Sequence, residues 1–173
     1  MLIVFTGNGK GKTTAAIGQA VRAVGNGSKV LMVQLIKGPW KSGEDTSVKK
    51  FNPDFIIVKK GKGFVHIGDD TVPFEEHRKA ALDALVYAQE QIDQKKWNIL
   101  ILDEIWNALS LKLVSEGSIA DFISKNVGQL DHLIMTGRDC PQKFIDKADL
   151  VTEMKEIKHP FTRGLKGSKG VEF

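Results

Sequence analysis

The chain of 173 residues contains a single cysteine, a single tyrosine, five prolines and four histidines. A lone Cys140 excludes an intramolecular disulfide and suits a reducing compartment. The histidines, His66, His77, His132 and His159, show no ligand spacing, which argues against a protein-bound transition metal. No Ser-His-Asp arrangement suggests itself, and Cys140 reads as a packed thiol rather than a nucleophile. No apolar run approaches the length that spans a bilayer. Met1 runs straight into LIVFTG, too short and too quickly polar for a secretory segment, so a cytoplasmic location is expected. A dominant charge is lacking too: 25 Lys and Arg face 21 Asp and Glu, a net charge of +4. Small lysine clusters occur at Lys49-Lys50, at Lys59-Lys60-Lys62 and from Lys155 to Lys169, without the dense basic stripe and interleaved aromatics of a nucleic-acid binder. They read as solvated lysines with an attraction for a polyanionic ligand.

What is present is the composition of an ordinary globular chain, 42% hydrophobic and 27% charged. Its length is enough for one domain over residues 1–173 with a core of its own. LIVFT (2–6), KVLMVQLI (29–36), FIIV (55–58), NILILDE (98–104), HLIMTG (132–137) and LVTEM (150–154) read as strands. From Thr13, Ala16, Ile17, Ala20, Val21 and Val24 mark one face of a helix that ends at Gly25-Asn26-Gly27. A long helix is expected between Pro73 and Lys95, with Ala81, Leu85, Ala88 and Ile92 buried. Another is expected near 118–126, and a short one after Pro141; residues 37–46 read as loop. Strands of continuous hydrophobicity alternating with helices indicate an α/β fold, a mainly parallel sheet with helices on both faces.

The first strand runs into TGNGKGKTTAAIG, Thr6 to Gly18. A strand, then Gly7, Gly9 and Gly11, then Lys12-Thr13-Thr14 and a helix is the setting of a phosphate loop. Glycines let backbone N–H groups converge on phosphate oxygens, and the helix N-terminus adds its dipole. Lys12 supplies a cation, and the Thr13 hydroxyl can ligate Mg²⁺. The bland alternative is a glycine-rich turn capping a helix. The loop departs from the common spacing, in which a glycine lies five residues before the Gly-Lys pair; that position here is Thr6. Lys10 places a second cation inside it.

ILILDE delivers Asp103 and Glu104 to a strand's C-terminal end, where α/β sheets bind ligands, beside the first strand's loop. One carboxylate would hold Mg²⁺, with Glu104 preferred over Asp103. In TGRD (136–139), Arg138 either points at the same crevice, to stabilise charge on a polyphosphate, or forms a surface salt bridge.

TGNGKGKTTAAIG, VQLIKG (33–38), KGF (62–64), LDE, TGR and the closing HPFTRGLKGSKGVEF together resemble the P-loop class of ATP:corrinoid adenosyltransferases, over essentially the whole chain and in the same motif order. The resemblance implies a P-loop NTPase (RecA-like) three-layer fold. It also implies a reaction in which a corrinoid's Co(I) attacks the 5′ carbon of ATP and triphosphate leaves. The nucleotide would lie in the loop in the reverse sense, which would suit a shortened loop with an extra lysine. Lys12, Lys10 and Arg138 would then be catalytic. Gly7, Asn8, Gly9, Lys10, Gly11, Lys12, Thr13, Thr14 and Arg22 would bind ATP, Asn8 and Arg22 at the nucleoside end. Mg²⁺, or Mn²⁺ in its place, would sit on Thr13 with Glu104 or Asp103. Phe64 matches an aromatic placed under the corrinoid, with ordinary packing as the alternative. His66 stands where the family pattern has tryptophan; an imidazole there would either point away or treat the lower face of cobalt differently. Some relatives carry an N-terminal arm over the corrinoid. Met1 here begins the strand itself, so that arm is expected to be absent, with Trp40 as its substitute. A homodimer and a flavoprotein reductase are further implications. Two other readings stand beside this one: another P-loop kinase or ATPase, and a non-catalytic nucleotide or corrinoid carrier.

Overall fold

A computed structural model describes residues 1–63, 65, 70–160, 164 and 167–171. In chain order the elements are β1 (Leu2–Thr6), α1 (Lys12–Gly25), β2 (Val30–Gln34), α2 (Gly43–Ser47) and β3 (Phe55–Lys59). Then come α3 (Phe74–Asp93), β4 (Ile99–Asp103), α4 (Ile105–Ser110), α5 (Glu116–Asn126), β5 (His132–Thr136), α6 (Gln142–Ile145) and β6 (Leu150–Glu153). A short 3-10 turn, Val48–Phe51, joins α2 to β3.

The six strands make one sheet in the order β3-β2-β4-β5-β1-β6, with every pairing parallel. The continuous apolar runs are explained by the two covered faces. Ile3 and Phe5, Val30 and Met32, Ile99 and Ile101, with Ile134, pack against Ala16, Ala20 and Ala23 of α1. The alternate residues, Leu2 and Val4, Leu31 and Val33, Leu100 and Leu102, Leu133 and Met135, meet α3, α4 and α5 on the other face. Each such buried aliphatic contributes about 1.5–3 kcal/mol relative to exposure. This is the three-layer P-loop NTPase fold.

The structure corrects several sequence expectations. Residues 37–46 are not all loop: Ser42 opens α2 through a reciprocal capping box with Asp45. α4 was not anticipated, because Ile105, Trp106 and Ala108 are all fully buried and leave no polar periodicity to read. Val21 is 39% exposed rather than on the buried face of α1, where Ala16, Ala20 and Ala23 are buried and Ile17 and Val24 pack partly buried beside them. β5 is inserted between β4 and β1, and the end of β4 still meets the loop that follows β1, as expected, through the Thr13–Asp103 hydrogen bond.

Candidate functional site

Thr6 ends β1, and the loop that follows presses on the end of β6. A Cβ on Gly7 would lie 2.5 Å from the Met154 carbonyl oxygen, and one on Gly9 would lie 2.7 Å from it. The Gly9 N–H donates to that carbonyl at 2.6 Å, and the Met154 N–H donates to Thr6 O at 2.8 Å. These glycines therefore serve a close chain approach as well as the loop's shape. α1 begins at Lys12 with no side-chain cap and no acidic residue in its first turn, so its N-terminal amides and dipole face the loop. Lys12 Nζ folds back and donates to the carbonyls of Gly7 (2.6 Å) and Gly9 (2.8 Å). Its pKa is lowered, by burial first and by the charge of Arg138 second.

A buried polar chain joins this loop to β4, across β5. Asp103 is fully buried. Its Oδ1 accepts from Thr13 Oγ1 at 2.9 Å and from Thr136 Oγ1 at 2.7 Å, and its Oδ2 accepts from Gln34 Nε2 at 2.9 Å. The Thr136 hydroxyl in turn accepts from the Glu104 N–H at 2.9 Å. That bond helps hold Glu104 in the left-handed region (φ 65°), an uncommon conformation for a residue other than glycine, at the junction of β4 and α4. The Glu104 carboxyl is pushed up to about 7, by burial and then by the negative charge of Asp103, against the pull of Lys37, Lys12 and Arg138. Thr13, Asp103 and Glu104 together offer hydroxyl and carboxylate oxygens, the donor set a hard divalent cation prefers, and two adjacent acids that lack a full counter-charge.

Of the residues expected from sequence, Gly7, Gly9, Gly11, Lys12, Thr13, Asp103 and Glu104 come together here. Asn8, Lys10 and Thr14 are exposed on the loop and the first turn of α1. Arg138 is exposed and forms no ion pair among the described residues, so the surface salt bridge is not seen. Its backbone N–H is fixed by Asn107 Oδ1 at 2.8 Å, and its charge is felt by both Lys12 and Glu104. Arg22 is exposed in the last turn of α1, ten residues and about 15 Å beyond Lys12. Phe64 and His66 lie outside the described residues. Cys140 is half-buried, its thiol pushed up to about 12 by burial, which suits a packed thiol.

Sequence reading missed three residues. Gln34 and Thr136 are fully buried polar groups at strand ends, and the Gln34 Oε1 is buried with no hydrogen-bond partner among the described residues. A polar residue closing an apolar strand was the available signal. The third is Lys37, whose ammonium donates to Glu44 Oε1 at 2.6 Å. Burial would lower its pKa, but the bond to Glu44 and the charges of Asp103 and Glu104 raise it. Among the described residues no cluster of three His, Cys, Asp or Glu side chains forms a metal site, and no helix is long and apolar enough to cross a membrane.

The fold is that of a P-loop protein, and the strand, glycine-rich loop and helix have the form of a phosphate loop. The family model described as ATP:corrinoid adenosyltransferase BtuR/CobO/CobP matches residues 1–173. The chain is 33% identical to a corrinoid adenosyltransferase of Escherichia coli strain K12, over 100% of this chain and 85% of the relative. It is 32% identical to the corrinoid adenosyltransferase CobA of Salmonella typhimurium, with the same coverage, and 34% identical to a corrinoid adenosyltransferase of Pseudomonas aeruginosa, over 83% of that chain. The flagellar accessory protein FlaH of Methanocaldococcus jannaschii matches in fold, with a TM-score of 0.54 at 12% identity over 88% of this chain and 69% of its own. The chain belongs to the ATP:corrinoid adenosyltransferase family, whose substrates are ATP and a corrinoid and whose work is adenosylcobalamin synthesis.

Proposed function

We propose that the loop holds the triphosphate of ATP as one leaving group, with the 5′ carbon presented to a corrinoid's Co(I). The observation that carries this reading is the meeting of the Lys12 ammonium, the Thr13 hydroxyl and the Asp103–Glu104 pair at the open N-terminus of α1, linked by the 2.9 Å bond from Thr13 to Asp103. Attack by the cobalt electron pair forms a cobalt–carbon bond and breaks the bond from C5′ to the triphosphate oxygen, which keeps the departing pair. No proton is removed, so the residues needed are cations and aligned dipoles rather than a base.

Lys12 would leave the Gly7 and Gly9 carbonyls for phosphate oxygens, joined by Lys10 and Arg138. Mg²⁺, when bound, would add positive charge against the phosphates. Thr13 and Glu104 would hold it directly, because Asp103 already accepts three hydrogen bonds whereas the Glu104 carboxylate receives none among the described residues. Asp103 would then act by orienting the Thr13 hydroxyl. With Arg22 and Asn8 at the nucleoside end, the nucleotide would lie back along α1. Phe64 and His66 are assigned to the corrinoid by resemblance. We further infer one domain, a homodimer, a flavoprotein electron donor and a cytoplasmic location.

The test is incubation with ATP, Mg²⁺ and chemically reduced cobalamin. Formation of adenosylcobalamin, lost when Mg²⁺ is chelated, supports the reading. Nucleotide binding with no transfer to the reduced corrinoid contradicts it and favours a carrier.

A further inference from the structure

The segment that follows β2 is built to hold an exposed indole still. Lys59, the last residue of β3, sends one ammonium to three groups: Asp45 Oδ2 (2.6 Å), Trp40 O (2.7 Å) and Ser42 Oγ (3.3 Å). Lys37 ties the start of the segment to Glu44 at 2.6 Å. The indole itself rests on glycines. A Cβ on Gly38 would lie 2.7 Å from Trp40 Cζ3, and one on Gly63 would lie 2.6 Å from Cη2, so any larger residue at either place would displace the ring. The seat is continuous with the nucleotide site, since the Gly63 N–H donates to Ile36 O and the Lys60 N–H to Gln34 O, both at 3.0 Å, and Gln34 holds Asp103.

Despite this seating, Trp40 is 60% exposed, the largest exposed aromatic among the described residues. A large apolar ring fixed in place yet open to water is already ordered for a contact, so little further ordering is lost when a partner covers it. Lys41 and Lys62 flank it, both exposed. Of the two substrates, ATP would offer the indole only its small adenine ring, since its anionic arm is assigned to the phosphate loop. A corrinoid is a broad, flat macrocycle bordered by amide arms (carboxylates in incompletely amidated forms) whose oxygens can accept from these ammoniums, and it matches both the indole and its rim.

We propose that Trp40 is a corrinoid-contacting residue, its indole packing against the macrocycle while Lys41 and Lys62 meet the polar arms. The inference rests on the corrinoid being the acceptor. It is tested with Trp40→Ala and Trp40→Phe, by measuring KM for reduced cobalamin and for ATP, and the Kd of unreduced cobalamin on ATP-loaded protein by equilibrium dialysis. Trp40→Ala is expected to raise both corrinoid constants roughly tenfold and leave the ATP KM within about twofold, with partial restoration by phenylalanine. Unchanged corrinoid constants overturn the proposal. So does a rise in the ATP KM alone, which would place adenine on the indole, or an equal rise of all constants with no rescue by phenylalanine. Failure of the wild-type chain to bind cobalamin at all would instead refute the acceptor reading beneath it.

Discussion

Two regions at the C-terminal edge of the same sheet are built on opposite electrostatic plans. At the phosphate loop, burial and then the charge of Asp103 push Glu104 up to about 7, and burial and then the charge of Arg138 lower the pKa of Lys12. Around Trp40, Glu44 and Asp45 are held below the usual carboxylate range by Lys37 and Lys59, in spite of the burial that opposes this. The first region buries ionisable groups beside like-charged neighbours, a cost that an incoming polyanion and cation would offset. The second has neutralised its charges internally and offers an apolar ring instead. Strain of this kind marks a place where chemistry is done, whereas an internally satisfied clamp marks a place where a surface is merely presented.

The contrast predicts separable defects. The largest is expected from Lys12→Ala, which removes the ammonium that sits inside the loop. Adenosyl transfer from pre-reduced cobalamin should fall about 10²–10³-fold, in line with the loss of one charge-stabilising donor. A near-normal rate would mean that the loop's amides and Lys10 suffice. Next is Gly61→Ala, whose Cβ would lie 2.2 Å from the Ile36 carbonyl group and force the 60–63 segment away from the chain that follows β2. The cobalamin KM should rise several-fold through loss of the Trp40 seat, with a stability cost of about 1–3 kcal/mol, while ATP affinity holds. Parallel loss of both affinities would show that the two regions are not independent.

The smallest effect is on stability against pH. The folded-state pKa of Glu104, about 7, lies above its ordinary value of 4.5, so the folded chain binds this proton more tightly than the unfolded one. Its contribution is full below about 4.5 and is lost as pH rises through 7. In chelator-treated protein the wild type should therefore lose more stability than Glu104→Gln between pH 5.5 and pH 8, by an amount on the order of 2 kcal/mol. Identical pH profiles in urea melts would remove the charge crowding from the account.

The same contrast explains what could be read beforehand. The phosphate loop is local: its glycines, lysine and threonine are adjacent in sequence, and the strand before and helix after them are set by period alone. The parallel sheet was legible for a similar reason, since a strand buried on both faces has no alternation to hide. The remainder depends on partners far apart. Gln34 and Asp103 are 69 positions apart, and Lys59 reaches Asp45 across 14. The insertion of β5 between β1 and β4 is set by how the strands cross, not by any one of them. α2 and α4 are short: α2 fell largely within a segment read as loop and α4 was not anticipated, their capping and burial decided by tertiary contacts.

The central claim, that three linked phosphates leave together, is tested most directly by ³¹P NMR of the spent nucleotide. Each adenosylcobalamin formed should be matched by one intact triphosphate. ADP and orthophosphate in its place would contradict the account and make the loop that of an ordinary phosphotransferase.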